Sequence, residues 1–202
     1  MAWVMFDYGG VVSHPLSPED LASLAGAAGV SVPALEGAYW EWRRAYDLAE
    51  LDAAGYWRQV GRSLGRGFSD ARISELVRLD SASWLRLQAG TVALIEDLAA
   101  ARLPLAMLSN APGELAEAIG GLPVAAHFGH LFFSCQLKLA KPDPACYSRA
   151  LAGLGASPEE VIFIDDRSEN VAAAAALGLR SVRFTSPGEA RAAVAERLAG
   201  RG

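Results

Sequence analysis

The chain has 202 residues, 52% of them apolar and only 20% charged, enough to bury one core of about 150 to 200 residues or a core with a small inserted unit. A formal charge of −5 with no run of like charges leaves no basic footprint for nucleic acid or an anionic membrane surface, so small-molecule chemistry is the default. No stretch approaches the ~20 apolar residues of a membrane span, the N-terminus has no basic region before its apolar run, and the expected location is cytoplasmic.

The first element is AWVMF, Ala2 to Phe6, an apolar run of strand length that ends in Asp7 and is followed by Tyr8, Gly9 and Gly10. Residues 15 to 85 then read as helices. Ser17 to Asp20 has capping-box form, and amphipathic segments follow near Pro33–Tyr46, Asp52–Leu64 and Asp70–Ala82. With Trp40, Trp42, Trp57 and Trp84 this region has the bulk for a small bundle, read as a cap inserted into a core made of residues 1–14 and 86–202. Its hinges are expected at Ser13–Pro15 and Leu85–Gly90. Beyond it, Thr91 is expected to open a helix, Leu103–Leu108 is a strand before Ser109 and Asn110, and Pro142–Leu154 is a helix closed by Gly155. Val161–Ile164 is a strand before Asp165 and Asp166, and Glu169–Leu177 is a helix stopped by Gly178. Leu131–Phe133 and Ser181–Phe184 are weaker strand candidates.

Strand and helix alternate, which predicts βαβ units and a doubly wound, Rossmann-like, mostly parallel sheet with an inserted helical cap. In such sheets ligands bind at the carboxyl ends of the strands, where Asp7, Ser109, Asp165 and Asp166 fall. A lone Asp after a strand is an ordinary capping residue. Three carboxylates converging on one edge repel unless a cation sits among them, which points to a hard, oxygen-seeking ion such as Mg²⁺. Ser109 and Asn110 have the groups to hydrogen-bond phosphate oxygens, although SN before a helix is also plain capping.

Of the 18 basic residues 16 are Arg, and only Lys138 and Lys141 are lysines. A chain that uses Arg wherever a positive charge suffices keeps Lys where a compact ammonium matters. Lys141, directly before Pro142-Asp143-Pro144, is the expected functional one. Arg43, Arg44, Tyr46 and Asp47 cluster near a helix end and are read as a solvated face. Cys135 and Cys146 lack disulfide or zinc spacing and are read as reduced packing residues.

The ordered set FDYGGVV, LSN, KPDP and VIFIDD resembles the four motifs of the haloacid dehalogenase-like hydrolases, Mg²⁺-dependent aspartyl phosphatases and their relatives, and the helical insertion resembles that superfamily's C1 cap. The resemblance implies Asp7 as a nucleophile that takes up the phosphoryl group. It implies Asp166 as a direct Mg²⁺ ligand, Asp165 in the outer shell, and a Gly9 main-chain carbonyl on the metal. Ser109, Asn110 and Lys141 would hold phosphoryl oxygens. The expected partner is a small phosphorylated metabolite, and the expected assembly a monomer or homodimer.

One position departs from that pattern. Most such phosphatases read DxD, the second Asp protonating the leaving oxygen, and this chain has Gly9 there. General acid/base help is worth about 10²- to 10⁴-fold, so leaving groups that need no proton, such as anomeric sugar, acyl or aryl phosphates, are favoured unless His14 substitutes. Two alternatives remain open at the level of sequence: a metal-independent dehalogenase of 2-halo acids, and a catalytically weak member that binds a phosphorylated ligand.

Overall fold

The structure is a computed structural model and describes residues 2–199. Five parallel strands, β1 (Trp3–Phe6), β2 (Leu105–Ser109), β3 (His130–Phe133), β4 (Val161–Asp165) and β5 (Arg180–Arg183), lie in the order β3-β2-β1-β4-β5. Between β1 and β2 come α1 (Pro18–Ala28), α2 (Val32–Asp47), α3 (Ala53–Ser63), α4 (Asp70–Ser83) and α5 (Ala89–Ala100). Then come α6 (Gly113–Gly120) before β3, α7 (Ser134–Leu137) and α8 (Pro144–Leu154) before β4, α9 (Ser168–Ala176), and α10 (Pro187–Ala199) after β5.

Both faces of the sheet are covered, which is why β1, β2 and β4 are near-continuous apolar runs rather than alternating ones. Val4, Phe6, Met107, Ile162 and Ile164 join one cluster with Leu94 and Ile95 of α5 and Val194 of α10. Met5, Ala106, Leu108 and Phe163 join the other with Tyr147 and Ala150 of α8 and Ala174 of α9. The chain runs outward from the central β1 to β2 and β3, then returns to β4 and β5 on the other side, so the crevice at the carboxyl ends of β1 and β4 is a topological switch point.

Helices α1 to α4 build a separate cluster around Leu24, Leu35, Tyr39, Tyr56, Trp57 and Leu76. The Ser17 capping box forms, its side chain taking the Asp20 N–H at 3.1 Å while the Asp20 carboxylate takes the Ser17 N–H at 2.8 Å. The linkers to this unit pair with each other: His14 N–H donates to the Arg86 carbonyl at 2.8 Å and Gln88 N–H to that of Val12 at 2.9 Å. No single helix among the described residues is long and apolar enough to cross a membrane; α1 and α2 pass such a test only as a pair bent by 92°, and their apolar sides lie in the cluster just described.

Several boundaries differ from the sequence reading. Helix α5 starts at Ala89, two residues before Thr91, whose buried hydroxyl has no hydrogen-bond partner. Gln88 precedes it, with its side-chain amide donating to the carbonyls of Gly10 and Ser13 at 2.9 and 3.2 Å. Helix α8 starts at Pro144, because the Asp143 carboxylate caps it by accepting from Ala145 N–H at 2.9 Å. Both weak strand candidates are strands, at the two edges. The four tryptophans do not all pack the bundle: Trp57 is buried in it, Trp42 lies against it, Trp84 packs on the sheet-side cluster, and Trp40 is 47% exposed.

Candidate active site

Asp7, Ser109 and Asp165 stand at the carboxyl ends of β1, β2 and β4, and Asp166 follows at once. Period-2 alternation turns Asp7 and Asp165 to the face opposite Phe6 and Ile164, and both stand where their strands leave the ladder. One carboxylate oxygen from each of Asp7, Asp165 and Asp166 falls in a group whose members all lie within 4.8 Å of one another. Lys141 comes in from the loop before α8. Its Nζ lies 2.6 Å from Asp7 Oδ1 and 2.7 Å from Asp165 Oδ2, and the residue is 3% exposed.

The charges do not balance within the protein. Three carboxylates face one ammonium. Burial pushes the Asp7 carboxyl up to about 7, with Lys141 pulling it down and Asp165 and Asp166 pushing it further up. Burial and Asp165 likewise raise Asp166. Burial works to lower the Lys141 ammonium, but Asp7 and Asp165 outweigh it and hold that group above its ordinary value. An all-oxygen donor set with surplus negative charge fits a hard divalent cation.

The three carboxylates are not equivalent. Asp165 is saturated: its Oδ1 accepts from Arg167 N–H at 2.8 Å, its Oδ2 from Lys141, and both from the Asn170 side-chain amide at 3.0 Å. Asp7 Oδ1 accepts from Tyr8 N–H at 2.6 Å as well as from Lys141. Asp166 is half-buried and lines the cavity. Asn110 also has a fixed partner. Its side chain donates to the Lys141 carbonyl and accepts from Lys141 N–H, both at 2.9 Å, so the amide expected to meet substrate instead clamps the backbone that carries the ammonium.

The two glycines after Asp7 are there for different reasons. Gly10 has φ +79°, and a Cβ on it would collide with the Asp166 carboxylate, whose Cγ would be 2.8 Å away. Gly9 has no such backbone constraint. A Cβ there would meet the indole edge of Trp84, at 3.2 Å from Cζ3 and 3.6 Å from Cε3.

These groups open into a cavity of about 330 Å³ between the sheet edge and the helical unit. Asp7, Gly9, Gly10, Ser109, Asn110, Asp166 and Asn170 line its floor, and Leu16, Leu21, Glu36, Trp40, Arg43, Asp47 and Trp84 its other walls. Asn170, in the first turn of α9, was not singled out from the sequence; it lies five positions after Asp165 in the polar Ser168-Glu169-Asn170 start of a helix that ends in alanines.

Arg43, Tyr46 and Asp47 are buried, not a solvated face. Arg43 Nε donates to Asp47 Oδ1 at 2.8 Å, and its Nη1 to Asp80 Oδ1 at 3.2 Å and to the Tyr39 hydroxyl. Two helices of the bundle supply the acids that neutralise this arginine, a partnership spaced 37 residues apart in the chain and so invisible to a local reading. Arg44 stays exposed. Tyr46 and Ser134 tie the unit down, the Tyr46 hydroxyl donating to Glu114 at 2.9 Å and the Ser134 hydroxyl to the Asp47 carbonyl at 2.6 Å. His14 is exposed on the linker and is not among the residues that line the cavity. Both cysteines are free and buried, and burial pushes their thiols up, Cys146 to about 11.

Residues 2–178 match a family model described as haloacid dehalogenase-like hydrolase. Hexitol phosphatase A of Escherichia coli is 28% identical over 84% of this chain and 83% of its own. Among solved structures, a family enzyme from Bacteroides thetaiotaomicron, complexed with magnesium and inorganic phosphate, superposes with a TM-score of 0.75 at 18% identity, over 92% of this chain and 94% of its own. The L-2-haloacid dehalogenase RSc1362 does so at 0.70 and 18% identity, over 92% and 86%. At those identities the structures speak for the fold.

Proposed function

Since the chain belongs to the haloacid dehalogenase-like hydrolase family, we propose that it is a Mg²⁺-dependent phosphatase of a small phosphorylated metabolite, working through an aspartyl phosphate on Asp7. The observation that carries this reading is the uncompensated trio of Asp7, Asp165 and Asp166 around a single ammonium. In this reading residues 15–85 form the C1-type cap domain over a core of 1–14 and 86–202.

Asp7, Asp166 and the Gly9 carbonyl would hold the ion, and the saturated Asp165 orients Lys141 and Asn170 from behind. A divalent cation held there would supply screening of the phosphate from the carboxylates and stabilisation of charge on the transferring group. Asp7 attacks phosphorus in line with the ester oxygen; the new bond joins its carboxylate to phosphorus as the bond to the leaving oxygen breaks. Lys141 and the Ser109 hydroxyl take the transferring oxygens, and the Asn110 clamp fixes where the ammonium stands. Water then attacks the same phosphorus, releasing inorganic phosphate and restoring the Asp7 carboxylate.

A metal-independent attack on a 2-halo acid fits less well. That substrate would bring a fourth carboxylate to a pocket already holding three within 4.8 Å. Phosphate release from a panel of phosphorylated metabolites, with Mg²⁺ and with excess EDTA, tests the proposal. Release that needs the metal supports it. Undiminished release in EDTA, or chloride release from a 2-chloro acid in its place, refutes it.

A further inference from the structure

We infer that the ester this site is built for is an aryl phosphate, the leaving group being a flat aromatic ring rather than a sugar or polyol; the inference rests on the phosphatase reading above. Three features of the cavity carry it.

The first is the Gly9–Trp84 contact. No side-chain acid stands at position 9, and a Cβ built there would come within 3.2 Å of the Trp84 indole edge, a contact tight enough that the ring must give by a few tenths of an ångström to admit one. A leaving oxygen must therefore depart without help from that position. A phenolic oxygen, with a pKa of about 10, does so far more readily than an alkyl alcohol, whose basicity approaches that of hydroxide from water at about 15.7.

The second is the wall. Pro15, Leu16, Leu21, Trp40, Trp84 and Leu115 surround the space beyond Asp7. Trp40 is 47% exposed, the exposed large apolar side chain among the described residues, and it stands on this wall rather than elsewhere on the surface. An indole left open to solvent beside a cavity is a stacking surface for a flat apolar group.

The third is the state of the polar groups that a sugar would need. Arg43 is held by Asp47, Asp80 and Tyr39, and its guanidinium lies over the Trp84 ring at 5.7 Å. The Asn110 amide is engaged by Lys141 and that of Asn170 by Asp165. Of the polar residues that the helical unit contributes to the lining, Glu36 alone makes no ion pair or hydrogen bond with another described residue. A polyol bound here would find Glu36 and Arg167, itself paired with Glu169, and otherwise face groups already engaged or apolar side chains.

The test measures phosphate release in the presence of Mg²⁺ from naphthyl phosphate, glycerol phosphate, glucose 1-phosphate and acetyl phosphate, by the native protein and by Trp40→Ala. Acetyl phosphate separates the two effects, since it needs no proton but carries no ring. The expected kcat/KM for naphthyl phosphate exceeds that for glycerol phosphate by about 100-fold or more, the scale of missing general acid help. In Trp40→Ala the ratio of naphthyl to acetyl phosphate should fall by about tenfold, the scale of a lost aromatic contact. Trp40 is exposed, so its removal leaves the packed core intact. Glycerol phosphate or glucose 1-phosphate turned over as fast as naphthyl phosphate, or an unchanged ratio in Trp40→Ala, overturns the inference while the phosphatase reading stands. No release from any of the four, acetyl phosphate included, overturns the phosphatase reading itself.

Discussion

Replacing Lys141 by Met removes one charge and little volume, and its cost follows from the geometry. Lys141 is 3% exposed, and its ammonium lies 2.6 and 2.7 Å from two carboxylates whose side chains are 9% and 0% exposed. Removing one partner of a buried ion pair costs about 3–5 kcal/mol, because the charge left behind has no compensation. Here two carboxylates lose it at once, with Asp166 adding repulsion, so the upper part of that range, about 4–5 kcal/mol, is expected. Domains of this size hold about 5–15 kcal/mol in all, which leaves the variant folded but marginal. Mg²⁺ held by Asp7 and Asp166, as proposed, would put a cation back beside this cluster; at a hundred times its dissociation constant it would restore about 2.7 kcal/mol. The assay is urea unfolding at neutral pH, in EDTA and then in Mg²⁺, with Lys138→Met as the control. Lys138 is exposed and reaches only the Ala49 carbonyl, at 3.4 Å, so its loss should stay within about 0.5 kcal/mol. A Lys141→Met loss below about 1 kcal/mol in EDTA would mean that the ammonium does not hold this cluster together.

The pH dependence has a definite sign. Because the Asp7 carboxyl is raised from 3.8 to about 7 in the fold, the metal-free native state holds its proton more tightly than the unfolded chain does, and this group's contribution to stability declines as pH rises through that interval. A cation needs the ionised carboxylate, so the rise in Tm produced by Mg²⁺ should grow from about pH 4 to about pH 7; a larger rise at the acid end contradicts this. Gly9→Asp crowds the Trp84 indole, which must give by a few tenths of an ångström, and should lower kcat/KM on every substrate; a selective gain on alkyl phosphates would show that the indole yields. Gly10→Ala should be worse still, because positive φ and the Asp166 clash act together; a fully active, fully stable Gly10→Ala would refute that placement. Asn110→Ala should reduce kcat more than KM by freeing the Lys141 backbone, and a change confined to KM would make Asn110 a binding group instead.

The sheet was legible because burial on both faces writes itself as unbroken apolar runs. Those runs ended at the polar residues that now share one edge: Asp7, Ser109 and Asp165. The scarcity of lysine drew notice to Lys141, which the fold buries between two of those carboxylates. The relations that were not legible are all long-range. Arg43 read as solvated because its partner Asp80 lies on another helix of the bundle. The Asn110 clamp was not legible because its partner is a main-chain segment 31 residues away. The Gly9–Trp84 contact joins the loop after the first strand to the end of α4, and nothing in either local sequence records it.

The central claim is that Asp7 becomes phosphorylated during turnover, and an acid-quenched single turnover measures it directly. Protein and substrate are mixed with Mg²⁺, quenched within the first turnover, digested and examined by mass spectrometry. Phosphate should appear on the peptide that carries Asp7, and be absent with EDTA and in Asp7→Asn. When the reaction is run in heavy-oxygen water, the label should enter the released phosphate and not the Asp7 carboxylate, since water attacks phosphorus. Turnover retained by Asp7→Asn, or label found in the carboxylate, would contradict it.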